Sequence, residues 1–96
     1  MRLIADVGGT NTRMALSADG EVLSGTVRSF VNRDFPDFDT LLRDFLTMSG
    51  ERPEEIVIAI AGPVNPGRAR LTNHDWSFDA LALSAGFGAR HVAFVN

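Results

Sequence analysis

Residues Asp6-Val7-Gly8-Gly9-Thr10-Asn11-Thr12-Arg13 lie between two apolar runs, Leu3-Ile4-Ala5 and Met14-Ala15-Leu16. That arrangement holds the chain to a strand, a glycine turn and a second strand, with polar atoms gathered at the tip of the hairpin. Glycines at the tip let the backbone approach a ligand with no Cβ in the way. Successive exposed N–H groups in such a turn form an anion-binding concavity. Thr10, Asn11 and Thr12 add side-chain donors, and Arg13 adds a fixed positive charge. Asp6 suits a divalent cation held directly or through water, as magnesium on phosphates usually is. The simplest ligand that uses all of these groups is a magnesium–nucleotide polyphosphate. A Gly-Gly pair alone is an ordinary hairpin turn; the whole string Asp-x-Gly-Gly-Thr-x-x-Arg is far more specific. It is not a P-loop, because the Gly-Lys-Ser/Thr is missing. It is not a dinucleotide fingerprint either, because no helical pattern follows the glycines.

Beyond the hairpin the chain reads as an ordered α/β plan. Strands are expected over about Leu3–Val7, Arg13–Ser17 and, after an Asp19-Gly20 turn, Val22–Ser29, as an antiparallel meander. Phe30–Pro36 reads as a loop, since Pro36 disfavours helix in the residue before it. Asp37 is placed to cap a helix. Phe38, Leu41, Leu42, Phe45 and Leu46 then recur at helical spacing to about Met48, with Gly50 just past the end. Ile56–Ala61 is a continuous apolar run suited to a strand buried on both faces, stopped by Gly62-Pro63. Asn65-Pro66-Gly67 marks a turn between two short strands. A second helix is expected from near Asp79 to near Gly86, and a last strand over His91–Val95. The fold class is therefore α/β: a mixed sheet, antiparallel in its first three strands and parallel afterwards, with helices on its faces. Ligands in open sheets of this kind collect at the carboxyl ends of strands, which sets the first turn, Gly62-Pro63 and Asn96 along one rim.

Bulk properties bound the function. The chain has 96 residues, room for one small domain, and a net charge of −3. That charge argues against a nucleic-acid partner or a polybasic membrane patch. All nine basic residues are Arg, so no lysine nucleophile exists within these residues. With no Cys there is no disulfide framework, thiolate zinc site or cysteine nucleophile. No signal peptide or membrane-spanning stretch is evident, and the expected location is cytoplasmic. Individual residues have plain structural readings. Trp76 suits loop packing, His91 opens an apolar strand, and Asp37, Asp39 and Asp44 belong to a helix start and its solvent face.

Taken together, four segments carry a specific resemblance. They are Asp6–Arg13, Ala59-Ile60-Ala61-Gly62-Pro63-Val64, Leu71-Thr72-Asn73-His74-Asp75-Trp76-Ser77-Phe78, and Phe94-Val95-Asn96. The chain resembles the bacterial ATP-dependent glucokinase family, hexokinase-like enzymes of the actin-like ATPase superfamily, from about Leu3 to Asn96. The resemblance implies a ribonuclease-H-like fold and transfer of the γ-phosphoryl group of ATP to the 6-hydroxyl of glucose. It implies that Asp6, Gly8, Gly9, Thr10, Asn11 and Arg13 face the nucleotide phosphates, with Asp6 helping to place Mg2+. It also implies that Asn96, with Asn73 and His74 near it, faces the sugar. In the family an aspartate directly after that asparagine accepts the hydroxyl proton; this chain stops at Asn96, so no catalytic residue is expected within it.

The chain is accordingly expected to be the amino-terminal lobe of a glucokinase, inactive by itself. Apolar surface left open by a missing lobe would favour self-association, for instance as a homodimer. Two other readings stay open: a kinase for another hexose or an amino sugar, and a stand-alone, non-catalytic binding or assembly module of the same fold.

Overall fold

The computed structural model describes residues 1–72 and 74–96. The chain begins with strand β1 (Arg2–Val7) and strand β2 (Asn11–Ala18), paired antiparallel from Arg2↔Ser17 to Val7↔Thr12. Strands β3 (Glu21–Val22) and β4 (Arg28–Val31) both pair with β2. Helix α1 (Phe38–Ser49) leads to strand β5 (Glu55–Ile60), which pairs parallel with β1 along its full length. A small antiparallel sheet follows, made of β6 (Val64–Asn65), β7 (Arg68–Arg70) and β8 (Ser77–Asp79). Helix α2 (Ala80–Phe87) then leads to β9 (His91–Val95), parallel to β5. The main sheet runs β3-β2-β1-β5-β9, with β4 beside β2. It is the mixed, ribonuclease-H-like sheet that the sequence implies.

Side-chain alternation assigns the faces. Leu3, Ala5 and Val7 of β1, Leu16 and Met14 of β2, and Ile56, Ile58 and Ile60 of β5 are buried on one face. Phe38, Leu41, Leu42 and Phe45 of α1 and Leu83 of α2 join the same cluster. Edge-to-face aromatic contacts tie the layers together: Phe38 to Phe78 and Trp76, Phe78 to Phe94, and Phe30 to Phe45.

The face opposite carries Ile4, Asp6, Arg13, Val57, Ala59 and Val95, none of them fully buried. β5 is therefore buried on one face and half-buried on the other, not sealed on both as its apolar run suggests. Both helices contribute to one face of the sheet rather than dividing between its two faces.

Two boundaries differ from the sequence reading. The expected third strand is split by a short 3₁₀ turn at Ser24–Thr26. There the Thr26 hydroxyl donates to the Leu23 carbonyl and accepts from the Leu16 N–H, so side-chain bonding replaces the strand ladder. The expected 30–36 loop is strand through Val31 and then a 3₁₀ turn at Asn32–Asp34. β8 was not foreseen. Among the described residues no helix is long and apolar enough to cross a membrane, which says nothing of strand-built barrels.

The ends of α1 follow local chemistry. The Asp37 carboxylate accepts from the Thr40 N–H (2.8 Å) and hydroxyl (2.7 Å), and Gly50 closes the helix in the left-handed region at φ 71°. These bonds to Thr40, side chain first and backbone second, hold the Asp37 carboxyl below the ordinary carboxylate range. A depressed carboxyl contributes stability above the unfolded-state pKa and loses it as pH falls through the folded-state value. Asp37→Ala should thus cost about 1 kcal/mol at neutral pH, with the difference beginning to shrink only below about pH 4 and falling further as pH passes the lower folded-state value. Denaturant midpoints measured across pH check this; a gap that persists undiminished into acid would refute it.

Candidate functional site

The hairpin at the end of β1 is tight. The Gly8 N–H donates to the Asn11 carbonyl at 2.9 Å. Neither Gly8 nor Gly9 is at positive φ, so left-handed backbone is not what calls for glycine here. Space is: a Cβ on Gly8 would stand 3.3 Å from the Asn11 carbonyl oxygen. Gly9 is half-buried, and Thr10 and Asn11 are exposed.

Strand alternation divides the rest of the motif. Asp6 and Arg13 are directly opposite each other in the β1–β2 register, both exposed on the open face. They line a shallow cleft of about 220 Å³ with Ile4, Ala15, Val22 and Val27. Thr12, one residue from Arg13, points the other way and is fully buried beside Val7 and Ile60. Its hydroxyl is therefore not a donor at the tip, contrary to the sequence reading. It donates instead to Oδ1 of Asn32, at 2.7 Å. Asn32 had no signal in the sequence beyond that of an ordinary turn residue.

The second part of the rim hangs on the end of β5. The Ala61 N–H donates to the Val7 carbonyl at 3.0 Å, binding the end of β5 to the end of β1. The Ala61 carbonyl accepts from the Thr72 hydroxyl (3.2 Å) and N–H (3.4 Å). The Gly62 carbonyl accepts from the Asn96 side-chain amide at 2.6 Å. The loop opened by Thr72 closes where the Leu71 N–H donates to the Trp76 carbonyl at 3.1 Å. Trp76 is buried and anchors that loop on Phe38, as a packing residue would; the His74 ring stands edge-to-face on it at 4.9 Å. Asn73 lies outside the described residues.

One row across the sheet thus runs from Val7 through Ile60 to the neighbourhood of Asn96. At the spacing of adjacent strands, Asn96 is two strands, roughly 10 Å, from Val7, the residue that leads into the glycine hairpin. The structure brings Asp6, Gly8, Gly9, Thr10, Asn11 and Arg13 to one end of this row, and Asn96 and the His74 loop to the other. Three of the four ion pairs among the described residues, Met1–Glu54, Arg2–Glu55 and Arg90–Glu54, sit at the opposite end of the parallel strands. Exposed pairs of this kind contribute at most about 1 kcal/mol each. They leave Asp6 and Arg13 out of salt-bridge contact. No cluster of three or more metal-ligating side chains occurs among the described residues.

The mixed α/β sheet with its glycine hairpin at the end of β1 has the actin-like ATPase fold of its structural neighbours. Comparison with known proteins is more specific: the glucokinase family profile matches residues 3–96, and the chain belongs to that family. It is 35% identical over 96 residues to a glucokinase of Pectobacterium atrosepticum, covering 98% of this chain and 29% of that protein. It is 37% identical over 99 residues to a glucokinase of Cupriavidus pinatubonensis, covering 99% of this chain and 29% of that protein. The crystal structure of a glucokinase from an Antarctic psychrotroph superposes with a TM-score of 0.83 at 28% identity, over 99% of this chain and 31% of that one. The chain spans less than a third of the length of these relatives.

Gly62 offers a direct test of the rim. A Cβ there would collide with the Arg70 carbonyl oxygen, which is backbone and cannot swing aside. Gly62→Ala should cost about 1–3 kcal/mol and shift the emission of Trp76, the only tryptophan, because the Thr72–Trp76 loop is tied to this corner. Unchanged melting and emission would show that the corner is not under that constraint.

Proposed function

We propose that this chain is the amino-terminal lobe of a glucokinase that transfers the γ-phosphoryl group of ATP to the 6-hydroxyl of glucose. The observation that carries the reading is the rim itself. An anion-suited glycine hairpin and a polar loop with Asn96 are fastened to the same two strand ends, through the Val7, Ala61 and Gly62 backbone. A polyphosphate bound at one end and a polyol at the other would share one edge of the sheet.

In this reading Gly8, Gly9, Thr10 and Asn11 receive the nucleotide phosphates. Exposed backbone N–H groups and small side chains suit charged oxygens that must be approached closely. Arg13 adds charge from the open face. Asp6, an exposed carboxylate on that face outside the ion pairs at its other end, fits a Mg2+ ion shared with substrate phosphates, which usually takes only one or two protein carboxylates; bound there, the ion would offset phosphate charge. On the sugar side, the Asn96 amide nitrogen donates to Gly62, which leaves its side-chain oxygen as an acceptor for a sugar hydroxyl. Asn73 and His74 complete that end. The base that takes the hydroxyl proton comes from outside residues 1–96, as do the remaining sugar and adenosine contacts. The chain alone is then inactive, because closure of two lobes is what excludes water and completes such sites. ATP and a free hexose as substrates place the work in the cytoplasm.

The test is a coupled ATP-dependent phosphorylation assay on the full-length protein that contains this sequence, run over glucose, other hexoses and amino sugars, beside the purified 96-residue chain. The expected result is turnover with highest kcat/KM on glucose for the full-length protein, and none for the chain alone. Preference for another sugar would move the assignment to that sugar. No turnover on any sugar would remove the kinase reading in favour of a binding or assembly module. Turnover by the chain alone would refute its dependence on a second lobe.

A further inference from the structure

Asn32 is 1% exposed and Thr12 0%, yet both side chains are polar and both are bonded. Asn32 makes three bonds to the glycine hairpin. Its side-chain amide donates to the Gly8 carbonyl at 2.7 Å, its Oδ1 accepts the Thr12 hydroxyl at 2.7 Å, and its backbone N–H donates to the Thr10 carbonyl at 2.9 Å. The residue comes from the 3₁₀ turn after β4, not from the motif itself.

The geometry of a trans peptide gives these bonds a consequence. Carbonyl and N–H of one peptide plane point in opposite directions. With the Gly8 and Thr10 carbonyls both drawn to Asn32, the N–H groups of Gly9 and Asn11 are turned away from Asn32. Those are the amides a polyphosphate would meet. The Gly8 carbonyl only accepts, so it sets the Asn32 amide with nitrogen towards it, and the Thr12 hydroxyl, donating to the opposite Oδ1, tethers the side chain in that orientation.

We propose that Asn32, locked by Thr12, is a positioning residue that aims the hairpin amides at the nucleotide phosphates. The inference rests on the kinase reading above for its ligand, but its geometry does not depend on which sugar is used. The pair touches the hairpin from the core side and acts on the nucleotide alone, leaving the Asn96 end of the rim untouched.

The test uses the full-length protein and three variants. Thr12→Val keeps shape and burial but leaves the Asn32 oxygen without its donor. Thr12→Ser restores the hydroxyl. Thr12→Cys, with a weak donor, replaces Thr12→Val should that variant fail to fold. The expected result for Thr12→Val is a KM for ATP raised on the order of tenfold, as fits a buried acceptor stranded in the core. KM for the sugar should stay within about twofold, and Thr12→Ser should recover most of the loss. Equal increases in both KM values, or an unchanged KM for ATP, would overturn the proposal. If the wild-type protein phosphorylates no sugar, the kinase reading fails and titration calorimetry with ATP decides the brace. Weaker binding by Thr12→Val with rescue by Thr12→Ser supports it; equal binding by all variants, or no binding by the wild type, overturns it.

Discussion

Strand β1 is the element on which the rest depends. It is paired along all six residues on both sides, antiparallel to β2 and parallel to β5. This double pairing fixes the register of the sheet. A slip by one residue on either side would exchange Leu3, Ala5 and Val7 for Arg2, Ile4 and Asp6 on the core face. It would also bring Asp6 inward and remove it from Arg13. Core and candidate site are thus two readings of one alternation: odd positions of β1 build the core, and even positions reach the open face.

The glycine hairpin is held from several directions. β1 and β2 lead into it, the end of β5 is bonded to the residue before it, and Asn32 fills the space beneath it. Such support matters for a ligand with several charged oxygens, because a loose turn would first have to order its amides. The sugar-side loop is anchored differently. It depends on one buried tryptophan and on backbone carbonyls at the exit of β5. Its position therefore follows the packing of Trp76 on Phe38, a residue of α1.

Much of this was legible in the sequence, for identifiable reasons. α1 announced itself because periodicity and two caps agreed: Asp37 and Gly50 stand where the apolar face begins and ends. The hairpin and β9 were legible from apolar runs bounded by turn residues. β8 was not, because three residues, Ser77–Asp79, carry no period; their strand character comes from pairing with β7, and Asp79 serves at once as strand end and as cap of α2. The break in the third strand was hidden because Thr26 favours strands by composition and breaks this one by bonding to its neighbours' backbone. At the site, the motif marked the tip correctly, but period-two alternation already implied that Thr12 could not face the same way as Asn11 and Arg13. Asn32 was invisible because a single Asn before a charged turn has no pattern; only the folded chain shows it buried.

The sequence distances of these bonds carry a consequence of their own. Every side-chain bond of the Asn32 brace joins residues 20 or 24 positions apart, all within the first four strands and the turn after β4. The link from β1 to β5 spans about 53 positions, and the bond from Asn96 to Gly62 spans 34. In loop-closure terms the two ends of the rim are unequal, since closing a longer loop costs more chain entropy. The anion-suited end is assembled from a short, nearly self-contained meander. The end that bears Asn96 exists only once the parallel strands have been brought together, so whatever weakens their pairing loosens that end first.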